Sequence, residues 1–309
     1  MGRGTPHHNP TGDIALIQDS RYPPIAGLTH RLVNIGELRL RVAELGQGEP
    51  LVLLHGWPQH WGMWQSLLPQ LAERFRVVCP YLRGSGWSEA PSKGYEEEQL
   101  TTDLLALFDA LGLERVRLMG HDWGGWVGFL LCLRQPTRIQ QFVALNIPHP
   151  WQRLDWPLLS TMWRFWYQWL IASPLLGGWL LRRQPGFVRS VLLRRSLVRK
   201  QAFSDEELMR YAAHLQQPAR SRASVQLYRS FLLREFMPLM SGRYRSAWLR
   251  VPALVLYGAR DIFVSARLLR GAQTLPELLT VELAPQSGHF IVQEYPELVL
   301  ERARAFFTE

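Results

Sequence analysis

Apolar and polar residues alternate on either side of Gly36 in "THRLVNIGELRLRVAELG" (29–46), a pattern that predicts two strands joined by a turn. The pattern then changes to short unbroken apolar runs: "LVLLHG" (51–56), "FRVVCP" (75–80), "VRLMG" (116–120), "FVALN" (142–146) and "ALVLYG" (253–258). Such runs suit strands covered on both faces of a parallel sheet. Helical patterning at 61–73, 96–111 and 123–134 fills the gaps. Strands alternating with helices predict an α/β fold with a doubly wound, mostly parallel sheet. The alternation stops after Pro150 and resumes at Val251. Between them the chain is helical in pattern, rich in Trp and Arg, and punctuated by "SPLLGG", "RQPG" and "QQPAR". The expected organisation is a core of 26–148 and 246–309, a helical cap of 149–245 inserted into it, and a flexible arm of 1–25.

Composition narrows the class without changing this picture. A chain of 309 residues, 47% hydrophobic and 20% charged, can bury a large core. The first residues (MGRGTPHHNPTGD) lack the apolar stretch of a secretory signal, and no uncharged apolar run reaches spanning length. Cys79 and Cys132, the two cysteines, both lie in apolar runs and read as buried thiols, which fits a cytoplasmic location. Of the cations behind the net charge of +9, only Lys93 and Lys200 are lysines. A surplus carried by arginine reads as compositional bias rather than a nucleic-acid site, and the densest patch (180–201) as a solvated helical face. His7 and His8 have no third convergent ligand, so no metal is expected there.

Each buried run ends in something chemical. "LVLL" delivers His55-Gly56-Trp57-Pro58, "VRLM" delivers Gly120 to Gly125, "ALVLYG" delivers Asp261, and "TVELAPQSG" delivers His289. Ligand sites in an open parallel sheet lie at the carboxyl ends of the strands, so these residues can converge. "GHDWG" (120–124) has the spacing of a Gly-x-Ser-x-Gly nucleophile elbow with aspartate in place of serine. A strand–turn–helix with Asp122 as an ordinary N-cap accounts for the aspartate and one glycine, but not for Asp261 and His289 in their contexts. Serine attacking a saturated carbon would leave an ether, which water cannot open through a carbonyl. A carboxylate leaves an ester, which water can. Aspartate therefore points to an epoxide or an alkyl halide.

The chain resembles the epoxide hydrolase family of the α/β-hydrolases from about residue 28 onward. The resemblance is carried by "HGWPQHWGMW", "RGSGWSEAP", "GHDWGG", "LNIPHP", "YGARDIFV" and "SGHFIVQEYPE". It implies Asp122 as nucleophile, Asp261 as the acid that orients His289, and His289 as general base, in the family's chain order. Asn146 occupies an alternative acid position but is uncharged. Two cap tyrosines hold the epoxide oxygen in this family, one before a glutamine and one before an arginine. Tyr167-Gln168 and Tyr228-Arg229 match, with Tyr211 and Tyr244 as rivals. The backbone N–H groups of Trp57 and Trp123 are the expected oxyanion hole, and Trp57, Trp123 and Pro148 the expected pocket lining. His55 and His121 are expected to position their own turns.

The expected partners are a small hydrophobic epoxide and water, with no cofactor, no metal and no nucleic acid, in a monomer or homodimer. Haloalkane dehalogenase is the second reading, since Trp123 could donate its indole N–H to a halide. Many dehalogenases, however, place asparagine after His-Gly, where this chain has Trp57, and fluoroacetate-type enzymes carry arginine where Trp123 stands. A non-catalytic binding scaffold is a third reading, though the apparently intact triad speaks against it. Trp163, Trp166 and Trp169, recurring every three residues, read as packing.

Overall fold

Eight strands form one sheet in the order β1-β2-β4-β3-β5-β6-β7-β8. They are β1 (Thr29–Asn34), β2 (Arg39–Leu45), β3 (Glu49–Leu54), β4 (Phe75–Pro80), β5 (Val116–His121), β6 (Ile139–Leu145), β7 (Ala253–Gly258) and β8 (Leu279–Ala284). The computed structural model describes residues 22–151, 160, 162–269 and 276–308; most of the proposed arm, with His7 and His8, lies outside them. The alternating hairpin pairs antiparallel, and β2 joins β4 antiparallel. From β4 to β8 every pairing is parallel.

The burial follows from that position. Leu51, Val52, Leu53 and Leu54 are fully buried, and all six residues of β7 are buried, because helices cover both faces. The edge strand β8 leaves Leu283 half exposed. Helices α2 (Glu97–Ala110) and α3 (Trp123–Arg134) fall where the periodicity puts them. The stretch 61–73 does not form one helix. It contains a 3₁₀ turn, Trp61–Trp64, capped by His60 Nδ1 accepting from Gly62 N, and the single turn α1 (Leu68–Leu71) with Pro69 in its first turn. Its apolar residues reflect burial, not helical period: Trp61, Met63, Trp64, Leu67 and Leu71 all pack inward. Cys79 and Cys132 are buried and unbridged.

Between β6 and β7 no strand occurs among the described residues. The segment carries α4 (Trp166–Ala172), α5 (Leu176–Arg183), α6 (Asp205–Leu215), α7 (Pro218–Ser230) and α8 (Phe236–Met240). Further on come α9 (Ile291–Glu294) and α10 (Pro296–Thr308). Polar contacts fasten this helical segment to the strand ends. The Trp57 indole donates to Ser224 Oγ at 2.9 Å, and Arg164 donates to the Asp261 carbonyl at 3.1 Å. Farther along, Glu97 N donates to Glu235 Oε1 at 2.7 Å.

Trp163, Trp166 and Trp169 do not pack as their spacing suggests; they are exposed. The inward face of α4 is taken by Tyr167, Gln168 and Ile171, which leaves the tryptophans outside.

Candidate active site

Asp122 stands between β5 and α3 with φ 49°, one of two non-glycine residues among those described that have positive φ. That conformation is costly for an L-residue and persists only where the surroundings enforce it. Here the enforcement is visible. Asp122 N donates to the Leu145 carbonyl at 3.1 Å on one side, and its carbonyl accepts from Trp126 N at 2.9 Å on the other. The flanking glycines make the turn possible. A Cβ on Gly124 would stand 2.2 Å from the Leu54 carbonyl oxygen, and one on Gly120 would stand 2.5 Å from the Gly124 oxygen. A Cβ on Gly56 would strike Asp122 Cβ at 2.6 Å. The small residues of "GHDWGG" and "HGW" thus let two strand ends and a helix meet at one carboxylate.

Trp57 N donates to Asp122 Oδ2 at 3.0 Å, and the Trp123 backbone N–H also reaches the carboxylate. Burial raises the Asp122 pKa to about 6, while the charge of His289 and these two N–H groups pull the other way. The carboxylate is therefore desolvated and held at one oxygen, which suits a nucleophile.

Asp261 follows β7 and receives four hydrogen bonds. His289 Nδ1 lies 2.7 Å from its Oδ2 and Asn146 Nδ2 donates to the same oxygen at 2.9 Å. The N–H groups of Phe263 and Val264 donate to Oδ1 at 2.8 and 3.1 Å. Burial raises the Asp261 pKa, but His289 and these donors outweigh it, so the group is held below the usual carboxylate range. Burial lowers the His289 pKa; the adjacent Asp261, then Asp122, overcome this and leave it raised.

Asn146 is the residue whose part the sequence does not disclose. It is the second positive-φ residue, at 47°, fully buried at the end of β6. Its side chain ties Asp261 to the Gly288 carbonyl at 3.0 Å and accepts from Gly258 N at 3.3 Å. It supports the acid rather than replacing it.

His55 and His121 hold the frame. His55 Nε2 accepts from Leu82 N at 3.0 Å, and burial lowers its pKa to about 4. His121 Nε2 lies 2.8 Å from the His289 carbonyl; burial and the charge of His289 lower its pKa to about 3.

Tyr167 and Tyr228 both face this carboxylate. They line one cavity with Asp122, His289, Trp57 and Phe263, their rings 6.1 Å apart. The Trp123 ring packs edge-on against that of Tyr228, with centroids 5.5 Å apart. Burial and then neighbouring charge push both phenols up: Asp122 acts on Tyr167, and the other tyrosine with Asp122 acts on Tyr228. Both stay protonated and able to donate. The rivals are engaged elsewhere. Tyr211 packs between Phe203 and His60, and the Tyr244 hydroxyl donates to Glu97 Oε2 at 3.0 Å. Beside Asp122 opens a mainly apolar cavity bounded by Trp123, Pro148, Tyr167, Phe231 and Leu239, enclosing about 730 Å³ of atom-free space partly open to solvent. Trp57 and Trp123 also line a third cavity, with Leu82, Tyr95 and Ser224. Among the described residues, those lining the two cavities that contain Asp122 include no lysine or arginine.

A family model described as alpha/beta hydrolase fold matches residues 49–295. A soluble epoxide hydrolase of Corynebacterium sp. (strain C12) is 28% identical over 289 residues, spanning 91% of this chain and 98% of that one. A fluoroacetate dehalogenase of Burkholderia sp. is 27% identical over 292 residues, spanning 92% and 95%. The solved structure of the epoxide hydrolase CorEH superposes with a TM-score of 0.78 at 27% identity, covering 91% of this chain and 99% of that one.

Proposed function

The chain belongs to the α/β-hydrolase fold family, and from that premise we propose that it is a cofactor-independent epoxide hydrolase. The observation that carries this reading is a pair of protonated tyrosines, Tyr167 and Tyr228, sharing a cavity with a desolvated carboxylate and a histidine. Opening an epoxide generates an alkoxide, and two phenolic donors in the same cavity as the nucleophile can meet that charge as it forms.

The helical segment between β6 and β7 is then a cap, contributing both tyrosines. Asp122 Oδ1 attacks the less hindered or more electrophilic epoxide carbon while the tyrosines hold the oxygen. Oδ2 stays against Trp57 N–H and becomes the ester carbonyl. His289, oriented by Asp261, takes a proton from water, which attacks that carbonyl carbon. The oxyanion forms against the N–H groups of Trp57 and Trp123, and collapse releases the diol and restores Asp122. The first step also prepares the second. Alkylation removes one of the negative charges that raise the His289 pKa, which favours the neutral imidazole when water must be activated.

Two observations weigh against dehalogenation. The Trp57 indole is committed to Ser224 and is not poised for a halide. Among the described residues, the cavities holding Asp122 offer no lysine or arginine for the carboxylate of fluoroacetate.

The test is a single turnover of styrene oxide in ¹⁸O-water beside parallel incubations with chloroalkane and fluoroacetate. Diol without label, with one ¹⁸O gained by Asp122, is expected, because the diol oxygen comes from the carboxylate. Label in the first-turnover diol would mean direct water attack. Halide release without diol would replace the reading altogether.

The pH dependence follows from Asp122. Its pKa of about 6 lies above that of an ordinary carboxylate, so the ionised nucleophile is lost as pH falls through 6. The alkylation rate, followed by quenching of Trp57 and Trp123 fluorescence in rapid mixing, should drop about tenfold per pH unit well below that point. A rate still flat at pH 4.5 would contradict the assignment.

A further inference from the structure

We propose that the helical segment after β6 docks this protein onto the surface of an anionic lipid bilayer. Six large apolar side chains stand in solvent on the 3₁₀ turn that precedes α4, on α4 and α5, and on the turn joining these two. Trp163 is 68% exposed, Trp169 54%, Trp179 47% and Leu175 87%, with Trp166 and Leu176 beside them. α4 packs on α5, and the Trp166 ring lies 6.2 Å from that of Phe187, so the patch continues into the segment 187–193. A cluster of this kind marks an interaction surface, whereas scattered apolar residues would not.

The surrounding charge selects the occupant. Residues 156–204 contain seven arginines and one lysine and no aspartate or glutamate. Arg182, Arg183, Arg195 and Lys200 are exposed. Tryptophan settles at the level of lipid headgroups, and cations within reach of anionic lipid add attraction. Arg194 is paired with Asp205, but a second copy of the chain seated on the same face would still bring two predominantly cationic fields together, which is unfavourable. The mode is peripheral, since no helix among the described residues is long and apolar enough to cross a membrane. The compositional reading of this patch as a merely solvated face does not account for the tryptophans.

If the proposed activity holds, the placement has a use. α4 turns Tyr167 inward to Asp122 and its tryptophans outward, so an apolar epoxide dissolved in the bilayer would meet the wall of the cavity that consumes it. The docking does not depend on that activity and is measured without turnover.

The experiment is flotation of the full chain with phosphatidylcholine vesicles made with and without phosphatidylglycerol. Binding is expected only to the anionic vesicles, with a blue shift of tryptophan emission and weakening as salt shortens the screening length. The variants W163A/W169A/W179A and R182E/R183E should each lower the partition coefficient by about tenfold or more, with an unchanged thermal unfolding midpoint. Absence of binding to anionic vesicles overturns the proposal. So does retention of binding in both variants. A parent protein that ignores vesicles and runs as a dimer, broken by the tryptophan substitutions, would instead assign the face to a second copy.

Discussion

H289Q is expected to leave the first chemical step running and to stall the second, so that the protein accumulates as a covalent ester. In the proposed mechanism His289 takes no part in the attack on the epoxide, because Asp122 is already a carboxylate held by the Trp57 and Trp123 N–H groups, and its place is in the second step. Nδ1 is committed to Asp261 at 2.7 Å, which fixes the tautomer and leaves Nε2 as the base for water. Asp261 is in turn locked by Asn146, Phe263 N and Val264 N, so the imidazole has little freedom to turn. Glutamine can hydrogen-bond water but cannot take its proton, and loss of a general base costs about a hundred- to ten-thousandfold in rate. Intact-protein mass spectrometry after mixing H289Q with styrene oxide should show one added epoxide mass, and peptide mapping should put it on Asp122. A chloroalkane processed by a dehalogenase would add the alkyl group alone. Turnover near the parent rate, or an adduct on another residue, would remove His289 from this role.

How much of this was legible beforehand depended on whether a feature is local. The continuous apolar runs translate into β3 to β7 because burial on both faces needs no information beyond the run itself. "GHDWGG" was legible for a similar reason: the close approach of Gly124 to the Leu54 carbonyl leaves no room for a side chain. Asn146 was not, since its importance lies in a φ of 47° and a 2.9 Å contact with a residue 115 positions away. The raised pKa of Asp122 depends on burial assembled from several strand ends.

Glu97 is a second case. It is buried on α2 and accepts from the Trp126 indole at 3.1 Å, Arg134 at 3.0 Å and Tyr244. Glu235 beside it has a pKa raised to about 8, by burial and then by the charge of Glu97. Nothing in the helical pattern around either glutamate separates them from solvated ones. The tryptophans of α4 misled in the opposite direction. A three-residue spacing puts them on one face, but spacing alone does not say whether that face turns inward.

Tyr167 and Tyr228 separate ring opening from the other reactions that an aspartate nucleophile supports. Each single substitution to phenylalanine should slow diol formation by about ten- to a hundredfold, because the remaining hydroxyl can still meet the alkoxide. The double variant should lose about a thousandfold or more, since no protonated donor is left at the developing charge. The two losses should not simply add, as the rings are neighbours, 6.1 Å apart, and the hydroxyls would share one acceptor. The loss should fall on alkylation and not on ester hydrolysis, which uses His289 and the backbone N–H groups of Trp57 and Trp123. Rapid-mixing alkylation rates, compared with ester decay after substrate is exhausted, separate the two. Phenylalanine preserves the ring packing of Tyr228 against Trp57 at 5.3 Å and of Tyr167 against Phe263 at 4.9 Å, so folding should be retained. A reactive substrate whose leaving group needs no proton gives the internal control. If the double variant is alkylated by a bromoalkane no more slowly than the parent, yet fails on the epoxide, the hydroxyls serve the oxygen. If epoxide and bromide slow alike, the tyrosines only shape the cavity, and the case for ring opening over halide displacement falls with them.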